Sequence, residues 1–222
     1  MDKENENIPW ILILWTLGCS TLFFVMLVVA DTPFVTQIDY FIASYIPSYQ
    51  YEWGIAFFSF ITSLASVNFT SFMTAFVSAL LLLFGKVKQG LLVIATVGGG
   101  GLLNYIVKSI YERERPDISR VIEVSGYSFP SGHAMNAMLL YGVLMILFLH
   151  FSSANTLLQV AVVLISVFLI VAIGISRIFL GVHYPSDVTA GFLCGGAWLG
   201  LMHILLRLYE RNKQMIGKAQ KM

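Results

Sequence analysis

Polar groups are sparse in this chain, and three clusters of them stand out: KSIYERERP, Lys108 to Pro116; PSGH, Pro130 to His133; and SRIFLGVHYPSD, Ser176 to Asp187. Among the groups they supply are two imidazoles, His133 and His183, an aspartate, Asp187, and the cations Lys108, Arg115 and Arg177. Fixed positive charges in that number suit a dianionic phosphoryl group. Arginine matches phosphate oxygens with a planar fork, and lysine adds a point charge. Asp187 follows His183 by four residues, close enough to orient its ring. An oriented neutral imidazole can attack phosphorus with one nitrogen while the other keeps its proton on the carboxylate. His133 could then protonate a leaving alkoxide and later activate water. Ser131 and Gly132 precede an apolar run, which places them near a helix N-terminus. Free N–H groups and the helix dipole favour an anion there, and a glycine lets backbone come close to a ligand. The cations and the helix end would hold the charge that builds on the phosphoryl oxygens.

The elements that position these groups are set by a lipid-like composition. The chain has 222 residues, 58% hydrophobic and 11% charged, where a soluble domain carries about a quarter charged residues. A run of about 20 apolar residues spans a bilayer core as a helix. Spans are read at Ile11–Ala30, Phe69–Phe84, Leu91–Val107, Ala134–Phe151, Thr156–Gly174 and Val188–Leu206. Trp53 to Gly85 is too long for one crossing. A break near Asn68 is expected, with a short helix near the membrane surface ahead of the second span. The fold class is therefore all-α: a polytopic bundle of six transmembrane helices with a short interfacial helix after the first span, forming one domain over residues 1–222. The opening MDKENENIPW is acidic and no clean small-residue cleavage site follows, so the first run reads as a retained span rather than a signal peptide. Cys19 and Cys194 fall inside apolar runs and read as small core hydrophobes with neither disulfide nor metal role. The four glycines Gly98 to Gly101 sit mid-span, where small residues allow close helix packing.

Charge distribution orients the bundle. Lys86 and Lys88 share one loop, Arg207, Arg211, Lys213, Lys218 and Lys221 crowd the C-terminus, and Asp31 to Glu52 has no lysine or arginine. The positive-inside rule then puts both termini on the cytoplasmic side. All three polar clusters fall in outward loops. Arg113, Arg115 and Arg120 lie on that outward side against the rule, so they need a reason other than topology.

Each feature also has a plainer reading. Ser131 serves equally as an N-cap. Pro185 suits a first helical turn, and Asp187 there complements the helix dipole. Lys108 could snorkel at a span end, and Arg115 and Arg177 could be interface anchors. YERERP, Tyr111 to Pro116, reads as a solvated loop, with no role for Glu112, Arg113 or Glu114. His150 and His203 read as structural. Asp31 to Trp53 is aromatic-rich, as suits an interface, and is either part of a lipid entrance or an inert surface helix. His133, His183 and Asp187 also make a two-His, one-carboxylate metal set, against which three nearby cations would repel a divalent ion. A non-hydrolytic phosphate or phospholipid binding or transport protein is the rival function. The sixth span is nearly free of ionisable groups, which favours a one-sided site over a route through the membrane.

The spacing Lys108, six residues, Arg115-Pro116; Pro130-Ser131-Gly132-His133; Ser176-Arg177, five residues, His183, three residues, Asp187 resembles the three-part signature of the type 2 phosphatidic acid phosphatase superfamily, with every defining position filled. The resemblance implies a metal-independent phosphatase that needs no cofactor. His183 would be a nucleophile forming a phosphohistidine, Asp187 its partner and His133 the general acid. Lys108, Arg115, Ser131, Gly132 and Arg177 would bind phosphate. It further implies a multi-pass protein of the bacterial cell membrane whose site opens near the outer leaflet. Its partners would be a lipid phosphate and the bilayer, with no nucleic acid and no obligate protein partner. The short chain is similar to the members that act on phosphatidylglycerophosphate or undecaprenyl diphosphate, and phosphatidic acid belongs to the same substrate class.

Overall fold

The computed structural model describes residues 9–118, 120–152 and 154–219. All of their regular structure is helical: α1 (Trp10–Val29), α2 (Pro33–Tyr45), a 3-10 turn (Ile46–Tyr49), α3 (Glu52–Ser63), α4 (Val67–Leu83), α5 (Val87–Tyr111), α6 (Gly132–Phe151), α7 (Thr156–Phe179) and α8 (Pro185–Ala219). Six stretches are long and apolar enough to cross a membrane: α1, α3 and α4 taken together, α5, α6, α7 and the Pro185–Lys213 part of α8. With 25 residues, α5 runs about 37 Å, more than the ~30 Å hydrocarbon core.

The short helix expected ahead of the second span falls on α3, which with α4 makes up one candidate span, Glu52–Leu83; the first span is followed by a further short helix, α2. Its Pro33 takes the first helical position, where the missing N–H costs nothing. Phe34, Phe41 and Tyr45 are exposed while Asp39 and Ala43 are buried. The break ahead of the second span differs from the sequence expectation. It falls at 64–66, where Ser66 caps α4 by accepting from the Phe69 N–H at 3.3 Å, and Asn68 lies in the first turn that follows. Nor does α3 stand apart from the bundle, because it packs against α7. Ile61 joins Ala65, Ala137, Ile170 and Ile173 in one buried cluster, and a Cβ at Gly54 would lie 3.1 Å from the Phe179 ring.

At the centre is α6, which packs against α5, α7 and α8. Met135, Leu139, Leu140, Val143 and Leu147 of α6 interlock with Leu92, Val93 and Val97 of α5 and with Cys194 and Leu199 of α8. Lipid tails are as apolar as these side chains, so close packing rather than escape from water holds such helices together. The central glycines show it: a Cβ at Gly100 would lie 2.3 Å from Leu139, and one at Gly99 2.7 Å from Trp198. Cys19 and Cys194 are both buried and free.

Candidate active site

Four helix ends meet at one end of the bundle and carry the three polar clusters. Lys108 is in the last turn of α5, Gly132 opens α6, Arg177 is in the last turn of α7 and Asp187 is in the first turn of α8. His183 sits in the short corner between α7 and α8 and is buried. Its Nε2 lies 3.1 Å from Arg115 Nη1. A guanidinium only donates, so Nε2 is the acceptor and the ring proton belongs on Nδ1. That nitrogen faces Asp187 Oδ2 at 3.4 Å and Ser128 Oγ at 3.3 Å. Burial pulls the His183 imidazole down to about 3; Asp187 opposes the shift, and Arg177 and Arg115 add to it. The ring is therefore neutral near pH 7, with a lone pair turned toward the cations.

Carbonyl oxygens hold two of the cations in place. Lys108 Nζ donates to the carbonyls of Tyr127 at 2.7 Å and Ser128 at 3.1 Å. Arg115 donates from Nε to Gly126 O at 2.8 Å and from Nη1 to Val182 O at 2.9 Å. Arg177, 2% exposed, bonds Thr62 Oγ1 through Nη1 at 2.9 Å, and its buried Nε has no partner among the described residues. His133 lies within the electrostatic reach of Arg177, His183, Arg115 and Lys108. All eight residues singled out in the sequence thus sit at this end of the bundle.

The opening of α6 is built as the spacing suggested. Ser131 is the N-cap, its Oγ accepting from the Ala134 N–H at 3.5 Å. Its own N–H donates to the Asp187 carbonyl at 2.9 Å, tying the start of α6 to the start of α8. A Cβ at Gly132 would meet Asn104 Oδ1 at 3.2 Å. Further along α8, a Cβ at Gly191 would lie 2.6 Å from the Ser131 carbonyl oxygen and 3.0 Å from the Ala134 methyl. Backbone therefore touches backbone where the two helices leave the site.

A family model described as the PAP2 superfamily matches residues 89–211, which is more than half of the chain and contains the whole constellation. The chain belongs to the PAP2 superfamily. It is 34% identical over 178 residues to the phosphatidylglycerophosphatase B of Bacillus subtilis (strain 168), covering 78% of this chain and 86% of that one. The crystal structure of a transmembrane PAP2 type phosphatidylglycerolphosphate phosphatase from Bacillus subtilis superposes with a TM-score of 0.82 at 28% identity, over 86% of this chain and 96% of that one. The bacitracin transport permease protein BcrC of Bacillus licheniformis is 36% identical over 112 residues, 46% of this chain and 50% of its own. This PAP2 chain is a multi-pass membrane protein of bacterial type.

The PAP2 signature leaves Arg113 unspecified, and here the sequence expectation fails. Glu112 and Glu114 are exposed, as a solvated loop requires, but Arg113 is buried. The reason is local. Glu112 adopts the left-handed conformation, φ 52° and ψ 30°, and ends α5 with its N–H on the Lys108 carbonyl. That turn sends Arg113 inward to Asp187 Oδ1 at 2.7 Å and Asp39 Oδ2 at 2.9 Å. Ser128 and Ser186 were also not singled out. Ser128 Oγ makes a short hydrogen bond to Asp187 Oδ2, which also accepts from the Tyr184 N–H at 2.8 Å. Ser186 donates its N–H to Asp39 Oδ1 at 3.0 Å and its hydroxyl to Oδ2. Asp39 could have been noticed as a lone carboxylate within the apolar segment PFVTQIDYFIASY. Among the described residues, no group of three or more His, Cys, Asp and Glu is arranged to hold a metal ion.

Proposed function

We propose that this chain is a metal-independent lipid phosphatase that removes a terminal phosphate through a phosphohistidine on His183. The observation that carries this reading is the position of His183 Nε2, 3.1 Å from Arg115 Nη1, with Asp187 behind the other ring nitrogen. An imidazole held this way offers its lone pair where a phosphoryl group would sit among cations. Lys108, Arg115 and Arg177 take the non-bridging oxygens, and the N-terminus of α6 at Ser131 and Gly132 adds N–H donors. Nε2 attacks phosphorus, and the P–O bond to the lipid breaks. His133, protonated once the bound phosphoryl dianion offsets the surrounding cations, gives its proton to the departing oxygen and becomes neutral. It then takes a proton from water, whose oxygen attacks the phosphohistidine. The P–N bond breaks, inorganic phosphate leaves, and both rings return to their starting states.

Phosphatidylglycerophosphate and undecaprenyl diphosphate are the substrates we favour, with phosphatidic acid a third of the same class. The relatives named for phosphatidylglycerophosphate support the first. Lys86, Lys88, Arg207, Arg211 and Lys213 lie at the end of the bundle away from the site, which supports cytoplasmic termini and an outward site. The relative named for transport, matched over half of its length, favours the non-hydrolytic alternative.

The test uses purified protein in detergent with EDTA and a panel of lipid mono- and diphosphates at equal surface concentration. Phosphate release is expected, with acid-labile label trapped on His183 and both lost in His183→Ala. Full activity in His183→Ala, or activity that EDTA abolishes, refutes the mechanism. Net movement of phosphate across a vesicle without hydrolysis supports the transport alternative.

A further inference from the structure

Asp187 is gripped on both oxygens, and only one grip belongs to the PAP2 signature. Oδ2 faces His183 Nδ1, while Oδ1 takes Arg113 Nη1. All five N–H donors of Arg113 have acceptors. Nε donates to Asp31 at 2.9 Å. Nη1 donates to Ser186 Oγ and Asp187 Oδ1, both at 2.7 Å, and Nη2 to Asp39 Oδ2 at 2.9 Å and Ala30 O at 3.0 Å. A guanidinium has five donors in a fixed fork, so this one cannot turn. Its carbon also lies 4.7 Å from the centre of the Tyr184 ring, next to the nucleophile in sequence.

We propose that Arg113, locked by Asp39 of α2, is a positioning residue that aims Asp187 and so fixes the direction of His183. This rests on the phosphatase reading above. Asp39 is 1% exposed and Asp187 is fully buried. Without the cation between them, two buried carboxylates would face each other, and one would take a proton or move away. Either change alters the acceptor for the His183 Nδ1–H, because a carboxylate free on one oxygen can swing. Arg113 donates to no phosphate-facing group, so it should govern turnover rather than substrate affinity.

A purely structural tie between α2 and α8 would lower the yield of folded protein and leave the surviving enzyme normal. Arg113→Lys, Arg113→Gln and the volume-conserving Asp39→Asn separate the two roles. For folded variants, kcat is expected to fall about 10- to 100-fold, as follows from weakening one charge-assisted hydrogen bond, with KM within about threefold. Arg113→Lys should recover part of the loss, because a lysine reaches one carboxylate but cannot fork between two. The acid limb of kcat/KM should move up by about one pH unit as Asp187 loses its cation. Unchanged kcat in folded Asp39→Asn and Arg113→Lys, or a rise in KM alone, overturns the proposal. The His183 Nδ1–H bond to Asp187, read from its proton shift by NMR on histidine-labelled protein, needs no turnover. A downfield Nδ1–H is expected in the parent and an upfield shift in Asp39→Asn and Arg113→Gln; the same shift in all three overturns the clamp. A parent that hydrolyses none of the lipid phosphates refutes the phosphatase reading instead, and the NMR result still decides the clamp.

Discussion

Arg177→Met separates function from stability at a single buried cation. Arg177 is 2% exposed, uses Nη1 on Thr62 Oγ1, and has a buried Nε without a protein partner. In the proposed complex, two remaining donors meet phosphoryl oxygens. Hydrogen bonds to charged groups contribute about 1.5–3 kcal/mol each, so losing two costs about 3–6 kcal/mol. At about 1.4 kcal/mol per factor of ten, kcat/KM should fall by about 10²- to 10⁴-fold. The same substitution should make the protein without substrate more stable. An unsatisfied buried donor costs about 1–3 kcal/mol, against about 1 kcal/mol for the Thr62 bond that is lost. A net gain of about 1 kcal/mol raises Tm by about 2–4 °C in a chain of this size. Phosphate release from phosphatidylglycerophosphate in mixed micelles gives the first number, and a thermal melt in detergent without substrate gives the second. A kcat/KM within about tenfold of the parent, or a Tm that drops, would refute the assignment of Arg177 to the phosphoryl group.

Stability should fall as pH drops from 6.5 toward 3. His183 has its folded value depressed to about 3 from 6.5, so the unfolded chain binds the extra proton within that window. The folded state loses up to about 1.4 kcal/mol per pH unit on acidification. Asp39, pushed up by burial, acts in the opposite sense just above 3.8. Melts at pH 7 and 5.5 should differ by less in His183→Asn, and an identical pH response in both proteins would exclude His183 as the source. Ser128→Ala removes the hydroxyl that bonds Asp187 and faces His183 Nδ1. It should cost about 1–2 kcal/mol in the chemical step, a drop in kcat of about 5- to 30-fold. Steady-state kinetics at saturating lipid checks this, and an unchanged kcat would remove Ser128 from the orienting group.

The crossings were legible because a chain in lipid must satisfy its backbone internally, and long apolar helices do so. The gathering of the candidate site residues at one end of the bundle was legible for a related reason. Ionisable groups are costly in such a chain, so the few present gather where chemistry needs them. Lys108, Arg115, Ser131, Arg177, His183 and Asp187 could be assembled on paper because each sits at a helix end or in the short connection beside one. Arg113 could not. Its direction depends on the left-handed turn at Glu112, and its partner Asp39 lies on a helix whose docked face only the tertiary structure selects. Hydropathy was equally blind to the packing of α3 on α7. Lipid-facing and helix-facing side chains are both apolar, so composition does not say which neighbour a helix has.

The contact at Gly191 makes the calibre of the cleft a property of the main chain. One helix delivers His133, the proposed acid, and the corner before the other delivers His183, the proposed nucleophile. The two touch where no side chain intervenes. Any substituent at that crossing acts as a shim, prising proton donor and attacking nitrogen apart while every reactive group stays intact. Transplanting the eight site residues into another bundle would therefore reproduce the reagents without their separation unless the bare crossing travelled with them.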